Sequence, residues 1–377
     1  VGVQVAECFY GMALDYLAPF ELGLSDHGTG IAMTKPTAVF RFDGSSVIGA
    51  GHAMRSGALA DALTEKGWRT VCATRMETIE MLPGVLDQFD DVIRLEVCEA
   101  AEIDTIAVSI RGRCDAMVVD HYGRDQAFRR ACRRLTSCLT VIEDRPDVVQ
   151  DGEILVEPSA GVNVAGSTIG NLLAGPRYAL LRTAFCEART RSVRRRDHGS
   201  VLLLCGYADE RNVTERLLES LDGTPGVRSI HVVIGAANAH RVRVQRRLNR
   251  AALPAHLHID PSPMVGLMSR AAIAVTAAGS TCWELACLGV PMVTVVTAAN
   301  QCAVDRTLRE AGASASTGAL DDAHGTRLRE TVAALLADDG WCRRMTSCGR
   351  TLVDGRGAMR VARAIHTRAL PLGRGVA

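Results

Sequence analysis

The chain lacks an excess of charge. Its 377 residues carry 43 basic and 42 acidic side chains, a formal net charge of +1. Holding a phosphate backbone needs a strong basic excess, so a general nucleic-acid binder is excluded. The basic run Arg191-Ser192-Val193-Arg194-Arg195-Arg196 is local and reads as a solvated surface between domains. Cys-x-x-Cys pairs are also absent. The thirteen cysteines are odd in number, and several, such as Cys72, Cys205 and Cys287, sit in apolar runs. That speaks against a metal or disulfide framework and for reduced core cysteines in a cytoplasmic protein. His256 and His258 alternate on one predicted strand with no third ligand nearby, and no Asp-x-Asp signature stands near Gly279 or Glu284. No metal and no other cofactor is therefore expected. A long uninterrupted apolar run is missing too, which excludes stable membrane insertion. The best candidate, residues 8–24, is broken by Asp15, Pro19 and Glu21, and it lacks the basic start and cleavage site of a signal peptide. Residues 1–36 read as an extension, and a chain starting at Met33 is expected to fold and keep its activity.

What is present is room for two domains of ordinary size, with 47% apolar residues to fill their cores. From Thr37 onward, apolar β-branched runs alternate with helical patterns. Strands are predicted at 37–42, 69–73, 92–95, 116–119, 139–143 and 153–156. Helices fit at 52–66, 76–87, 100–110 and 124–135. The pattern restarts at 201–206, with further strands at 229–234, 256–259, 272–276, 292–296 and 313–316. Helices fit between them, and two more close the chain, separated near Gly355. This alternation marks parallel sheets covered on both faces. The expected organisation is a Rossmann-like domain over 37–182, a linker over 183–199 and a second Rossmann-like domain over 200–377. Two such units facing a cleft make a GT-B-like α/β fold, in which ligands bind at the carboxyl ends of the strands.

The loop after the first strand, Phe42-Asp43-Gly44-Ser45-Ser46-Val47-Ile48-Gly49-Ala50-Gly51-His52-Ala53-Met54-Arg55, carries the densest signal. Glycines such as Gly49 and Gly51 let backbone N–H groups approach a ligand. His52, at the start of the next helix, is placed to be a general base. Asp120, His121 and Tyr122 end another strand and are expected to face the same cleft, although His121 also fits a structural bridge. Glu143 and Asp144 end the next strand and are expected to order the cleft loops and to orient His52. In the second domain, Gly279, Ser280 and Thr281 open a helix with Glu284 one turn in. Two readings stand for them: a diphosphate and ribose site, or an ordinary helix cap. Asn300 and Gln301 end the following strand, where their amides either read sugar hydroxyls or cap a helix.

These motifs, with Val118-Val119-Asp120-His121-Tyr122, Gly175-Pro176-Arg177-Tyr178-Ala179-Leu180-Leu181-Arg182 and Val232-Val233-Ile234-Gly235-Ala236-Ala237-Asn238, resemble the UDP-2,4-diacetamido-2,4,6-trideoxy-altropyranose hydrolases of pseudaminic acid synthesis. That family is spore-coat polysaccharide glycosyltransferase-like and belongs to the GT-B superfamily. The resemblance covers roughly residues 37–365. It implies that His52 activates water with Tyr122 and Asp120 nearby. It implies that Gly49, Gly51, Arg55, Asn300 and Gln301 meet the sugar, and that Ile234, Gly279, Ser280, Thr281 and Glu284 hold UDP. The implied reaction is metal-independent attack at the anomeric carbon with inversion and loss of UDP.

Three departures accompany the resemblance. Tyr207 stands where the family has a second glycine, Glu143-Asp144 replaces two aspartates, and Val156-Glu157-Pro158-Ser159 replaces an Asp-Gln-Asn segment. All three are expected on the sugar or acceptor side, with Tyr207 either narrowing the cleft or stacking on a new group. The first reading is thus a UDP-sugar hydrolase. The second is a transferase that moves the sugar to a small soluble acceptor, such as an amino sugar, a nucleobase or a natural-product aglycone. A dinucleotide oxidoreductase fits less well, because Gly49-Ala50-Gly51 lacks the third glycine and the acidic residue after the second strand. A non-catalytic UDP-sugar sensor would have no use for His52, Tyr122, Asn300 and Gln301 together.

Overall fold

The computed structural model describes residues 35–96, 101–144, 153–159, 171–191, 196–321 and 323–370. The extension and its Met33 therefore lie outside the described residues, as do residues 192–195 of the basic run.

The first lobe is a seven-stranded parallel sheet of order β3-β2-β1-β4-β5-β6-β7. Its strands are β1 (Thr37–Phe42), β2 (Arg69–Arg75), β3 (Asp91–Leu95), β4 (Ala116–Asp120), β5 (Leu139–Ile142), β6 (Glu153–Glu157) and β7 (Leu172–Ala174). Strands covered on both faces read as continuous apolar runs, which is why β1 and β4 are buried along their length. The helices are α1 (Gly51–Thr64), α2 (Met76–Met81), α3 (Pro83–Leu86), α4 (Glu102–Ser109) and α5 (Gln126–Cys132). The single helix expected over 76–87 is two, because Pro83 at a first helical position interrupts the backbone bonding at Leu82.

The second lobe is a six-stranded parallel sheet of order β10-β9-β8-β11-β12-β13. Its strands are β8 (Asp197–Leu204), β9 (Ser229–Ile234), β10 (Ala255–Ile259), β11 (Ala271–Ala277), β12 (Met292–Val296) and β13 (Ala315–Ala319). The helix α6 (Thr183–Thr190) lies in the crossing segment, and Arg196 just before β8 is not solvated as expected. Its guanidinium donates to the Gly289 carbonyl and the Thr346 hydroxyl. The remaining helices are α7 (Val213–Leu221), α8 (Arg241–Leu248), α9 (Met264–Arg270), α10 (Thr281–Leu288), α11 (Cys302–Glu310), α12 (His324–Ala337), α13 (Asp339–Leu352) and α14 (Gly357–Ala369).

Each sheet has an apolar core on both faces. Sequence order places α14 with the second lobe, yet Ala358, Val361, Ala362 and Ile365 sit in the first lobe's core with Leu59, Leu63 and Trp68. The strand order reverses between β1 and β4 in one lobe and between β8 and β11 in the other. Ligand crevices of open α/β sheets form at such points, outside the carboxyl ends of the strands. No helix among the described residues is long and apolar enough to cross a membrane.

Candidate functional site

The loop after β1 is built by its own polar residues. Asp43 is nearly buried and accepts hydrogen bonds from Arg41, Thr74, the Arg75 backbone and His121. Burial favours the neutral carboxyl, but His121 and Arg41 hold it well below the usual carboxylate range. Ser45 Oγ accepts from the Val47 and Ile48 amides, and Gly49 turns the chain at φ +80°. That left-handed turn delivers Gly51 and His52 to the start of α1, whose first turn has no side-chain cap.

His52 is 5% exposed and its Nδ1 lies 2.5 Å from Asp120 Oδ1. The pairing follows from topology: β4 lies beside β1 with Asp120 opposite Phe42, so the strand end faces the helix that follows β1. Asp120 also accepts from Arg55 Nη2 and Nε, both at 2.6 Å. Burial alone would raise its pKa, but the Arg55 and His52 charges hold it well below the carboxylate range. An ionised Asp120 puts the ring proton on Nδ1 and leaves the Nε2 lone pair for chemistry. Tyr122 stands edge-on to the imidazole, with ring centroids 4.5 Å apart. Its hydroxyl donates to Asp144, and burial together with that carboxylate pushes the phenol pKa up. A phenol held neutral in this way is a donor rather than a base.

The expectation that Glu143 or Asp144 orients His52 is corrected: Asp120 does so. Glu143 is paired with Arg129 of α5, while Asp144 bonds Arg55 and Tyr122. His121 turns away from the cleft, with Nε2 on Asp43 and Nδ1 accepting from the Gly123 amide, which is the structural bridge.

The ring of His52 lines a cavity of about 190 Å³ together with Arg55, Tyr122, Asp144, Ser159, Trp283 and Asn300. A larger cavity of about 300 Å³ adjoins it. Ile48, Gly51, Arg55, Gly279, Ser280 and Gln301 line both. Gly49, Tyr207, Ile234, Thr281 and Glu284 line only the larger one. Ser280 precedes α10 without a side-chain cap bond, so the cap reading of its hydroxyl does not hold. Glu284 accepts from Arg182 at 3.3 Å. Burial raises the Glu284 pKa against the opposing pull of that guanidinium. Asn300 donates across the cleft to the Tyr122 hydroxyl at 3.4 Å, and Gln301 caps the Thr297 amide.

Tyr207 lines the larger cavity, which holds Gly49, Gly51, Arg55 and Gln301 as well as Glu284 and Ile234, and it packs on Gly235 with its hydroxyl 3.4 Å from the Met81 carbonyl and from Asp260. Sequence reading also missed Arg182, Asp260 and Trp283 as lining residues. Arg182 ends the Gly175–Arg182 motif and Trp283 directly precedes Glu284, so a cation or an aromatic beside a phosphate loop is the available signal. Asp260 follows an edge strand and gave none. A third histidine beside His256 and His258 is likewise invisible to sequence spacing. His231 on β9 pairs in register with His256, and its ring centroid lies 5.0 Å from His256 and 5.3 Å from His258. Among the described residues no group of three or more His, Cys, Asp or Glu is arranged to hold a metal.

No family model matches the chain. It is 28% identical over 203 residues to the spore coat polysaccharide biosynthesis protein SpsG of Bacillus subtilis, a match over 53% of this chain and 59% of that protein. An uncharacterized protein of Methanocaldococcus jannaschii is 22% identical over 67% of this chain and 54% of its own length. The chain thus spans little more than half the length of the curated relatives it matches. Among solved structures, MurG of Acinetobacter baumannii superposes with a TM-score of 0.58 at 17% identity, over 88% of this chain and all of that one. Such likeness shows the fold: two Rossmann-like domains in the GT-B arrangement.

Proposed function

We propose that the protein is a UDP-sugar-dependent enzyme that directs a nucleophile to the anomeric carbon and releases UDP. The observation that carries this reading is the junction of two unlike sites. A histidine–aspartate pair sits in one cavity, an uncapped helix start sits in the next, and Gly51, Arg55 and Ser280 line both. The larger cavity suits a nucleoside diphosphate. Helix-start N–H groups and the α10 dipole favour its phosphates, and Glu284 is placed to accept from ribose hydroxyls. The sugar then lies toward His52. His52 Nε2 takes the nucleophile's proton as its oxygen bonds to the anomeric carbon and the bond from that carbon to the phosphate oxygen breaks. Asp120 stabilises the imidazolium that forms. Attack from the face opposite UDP inverts the configuration.

With water as nucleophile this is a nucleotide-sugar hydrolase, the reading the motifs support best. Transfer to a small soluble acceptor is the second reading. It is favoured by the altered wall Glu157-Pro158-Ser159, of which Pro158 and Ser159 line the His52 cavity. Both readings share one test. UDP binds by calorimetry without added metal. His52→Asn keeps that affinity, because the nucleotide meets other side chains, and lowers turnover by ~10²–10⁴. Wild-type turnover in the variant would remove His52 as the base. Absence of UDP binding, or strict dependence on a divalent metal, would overturn the site assignment.

A further inference from the structure

The wall of the smaller cavity is short of positive charge. Arg55 is the cation among its lining residues, and it is bracketed by Asp120 and Asp144. Glu157, at the end of β6, has no side-chain hydrogen bond or ion pair among the described residues. The charges it feels most strongly are Asp144 and Glu143. Burial first, and then those two carboxylates, push its carboxyl up to about 7. Glu143 is offset by Arg129, whereas Asp144 shares Arg55 with Asp120 and Glu157 adds a further carboxyl beside it.

A second observation is independent of charge. Ser159 is 2% exposed, lines the same cavity, and its hydroxyl has no hydrogen-bond partner among the described residues. A buried polar atom without a partner is uncommon in folded proteins. Its position is held from the other lobe, since Thr307 of α11 donates to the Ser159 carbonyl at 3.1 Å. The wall thus presents a spare acceptor atom and a surplus of negative charge at one place. A neutral hydroxyl would satisfy Ser159 but leave the carboxylates uncompensated. An ammonium satisfies both, because it brings three donors and a charge.

We infer that the wall lined by Asp144 and Ser159, with Glu157 two residues before Ser159 and within the field of Asp144, seats a protonated amine, so that the sugar or acceptor held in the His52 cavity is an amino compound. This rests on reading the cleft as a nucleotide-sugar site. In the hydrolase reading the amine belongs to the sugar, and in the transferase reading to the acceptor.

The experiment titrates glucosamine and, in parallel, glucose into the protein at pH 7, each with and without saturating UDP. The two probes differ at one position, an ammonium against a hydroxyl. Glucosamine is expected to bind at least ~10-fold more tightly, the scale of one charge-assisted hydrogen bond. Glu157→Gln, nearly identical in shape, should lower glucosamine affinity ~10-fold and leave glucose unchanged. Ser159→Ala should act in the same sense by a smaller factor. Equal affinity for the two probes overturns the inference, as does failure of both to bind or glucosamine affinity untouched by Glu157→Gln. Absence of UDP binding in the same calorimeter sinks the nucleotide-sugar reading instead, and the arm without UDP still reports on the wall.

Discussion

Asp120 serves three donors at once: the His52 ring, the Arg55 fork and, more weakly, the Ser56 hydroxyl. Replacing it with Asn removes the charge that fixes the His52 tautomer and leaves Arg55 with Asp144 alone. Turnover in Asp120→Asn should fall by ~10²–10⁴. Stability at pH 7 should fall by about 3 kcal/mol, the scale for breaking a buried pair, read from denaturant midpoints. The pH dependence has a definite sign. The folded protein holds Asp120 and Asp43 below their unfolded values. Their stabilisation is therefore full above the ordinary carboxylate range near ~4 and is lost as pH falls below it. The gap in stability between wild type and Asp120→Asn should narrow on acidification through that range. A gap that stays constant to pH 3 would remove Asp120 from the acid-sensitive groups.

Among the elements, the loops that follow β8 and β9 pack closely against each other in the cleft wall. A Cβ added at Gly235 would lie 2.5 Å from the Tyr207 carbonyl oxygen and 2.6 Å from its ring. Gly235→Ala should therefore cost roughly 1–3 kcal/mol through overpacking, measured by chemical denaturation. An unchanged midpoint would mean that the Tyr207 loop yields freely. Most elements are legible in the sequence for a simple reason: strands covered on both faces are unbroken apolar runs, and helices fill the intervals. The three-residue β7 is not, because a short, half-buried strand has no run to show. The break at Pro83 is legible, because proline favours a first helical position over a helix interior. In the site, the loop residues could be read from glycine spacing and strand ends. The carboxylate that takes His52 could not, because the choice depends on β4 lying beside β1 rather than on anything near position 52. The same holds for His231, which only the register of β9 and β10 brings to His256.

At the scale of the molecule, the first lobe is completed by residues far along the chain. Ile365 is fully buried in that lobe's core, and the Trp68 indole donates to His366 at 3.0 Å. Ile365→Ala should cost about 2–4 kcal/mol, the usual range for truncating a buried aliphatic side chain. Hydrogen exchange should report the loss first in α1 and β1, since α14 packs there, and least in the β8–β13 sheet. Uniform loss over both sheets would show that the lobes unfold as one unit. The return of α14 also bears on how the protein is made. Synthesis is vectorial, and domains generally fold as units in the order they leave the ribosome. Here the first sheet emerges with an apolar seam along α1 that stays uncovered until some three hundred later residues have been added. The second lobe can close on its own core in the meantime. The nascent chain is thus exposed to aggregation longest at the lobe made earliest, and a ribosome stalled shortly after α13 would hold a finished second half beside an unfinished first.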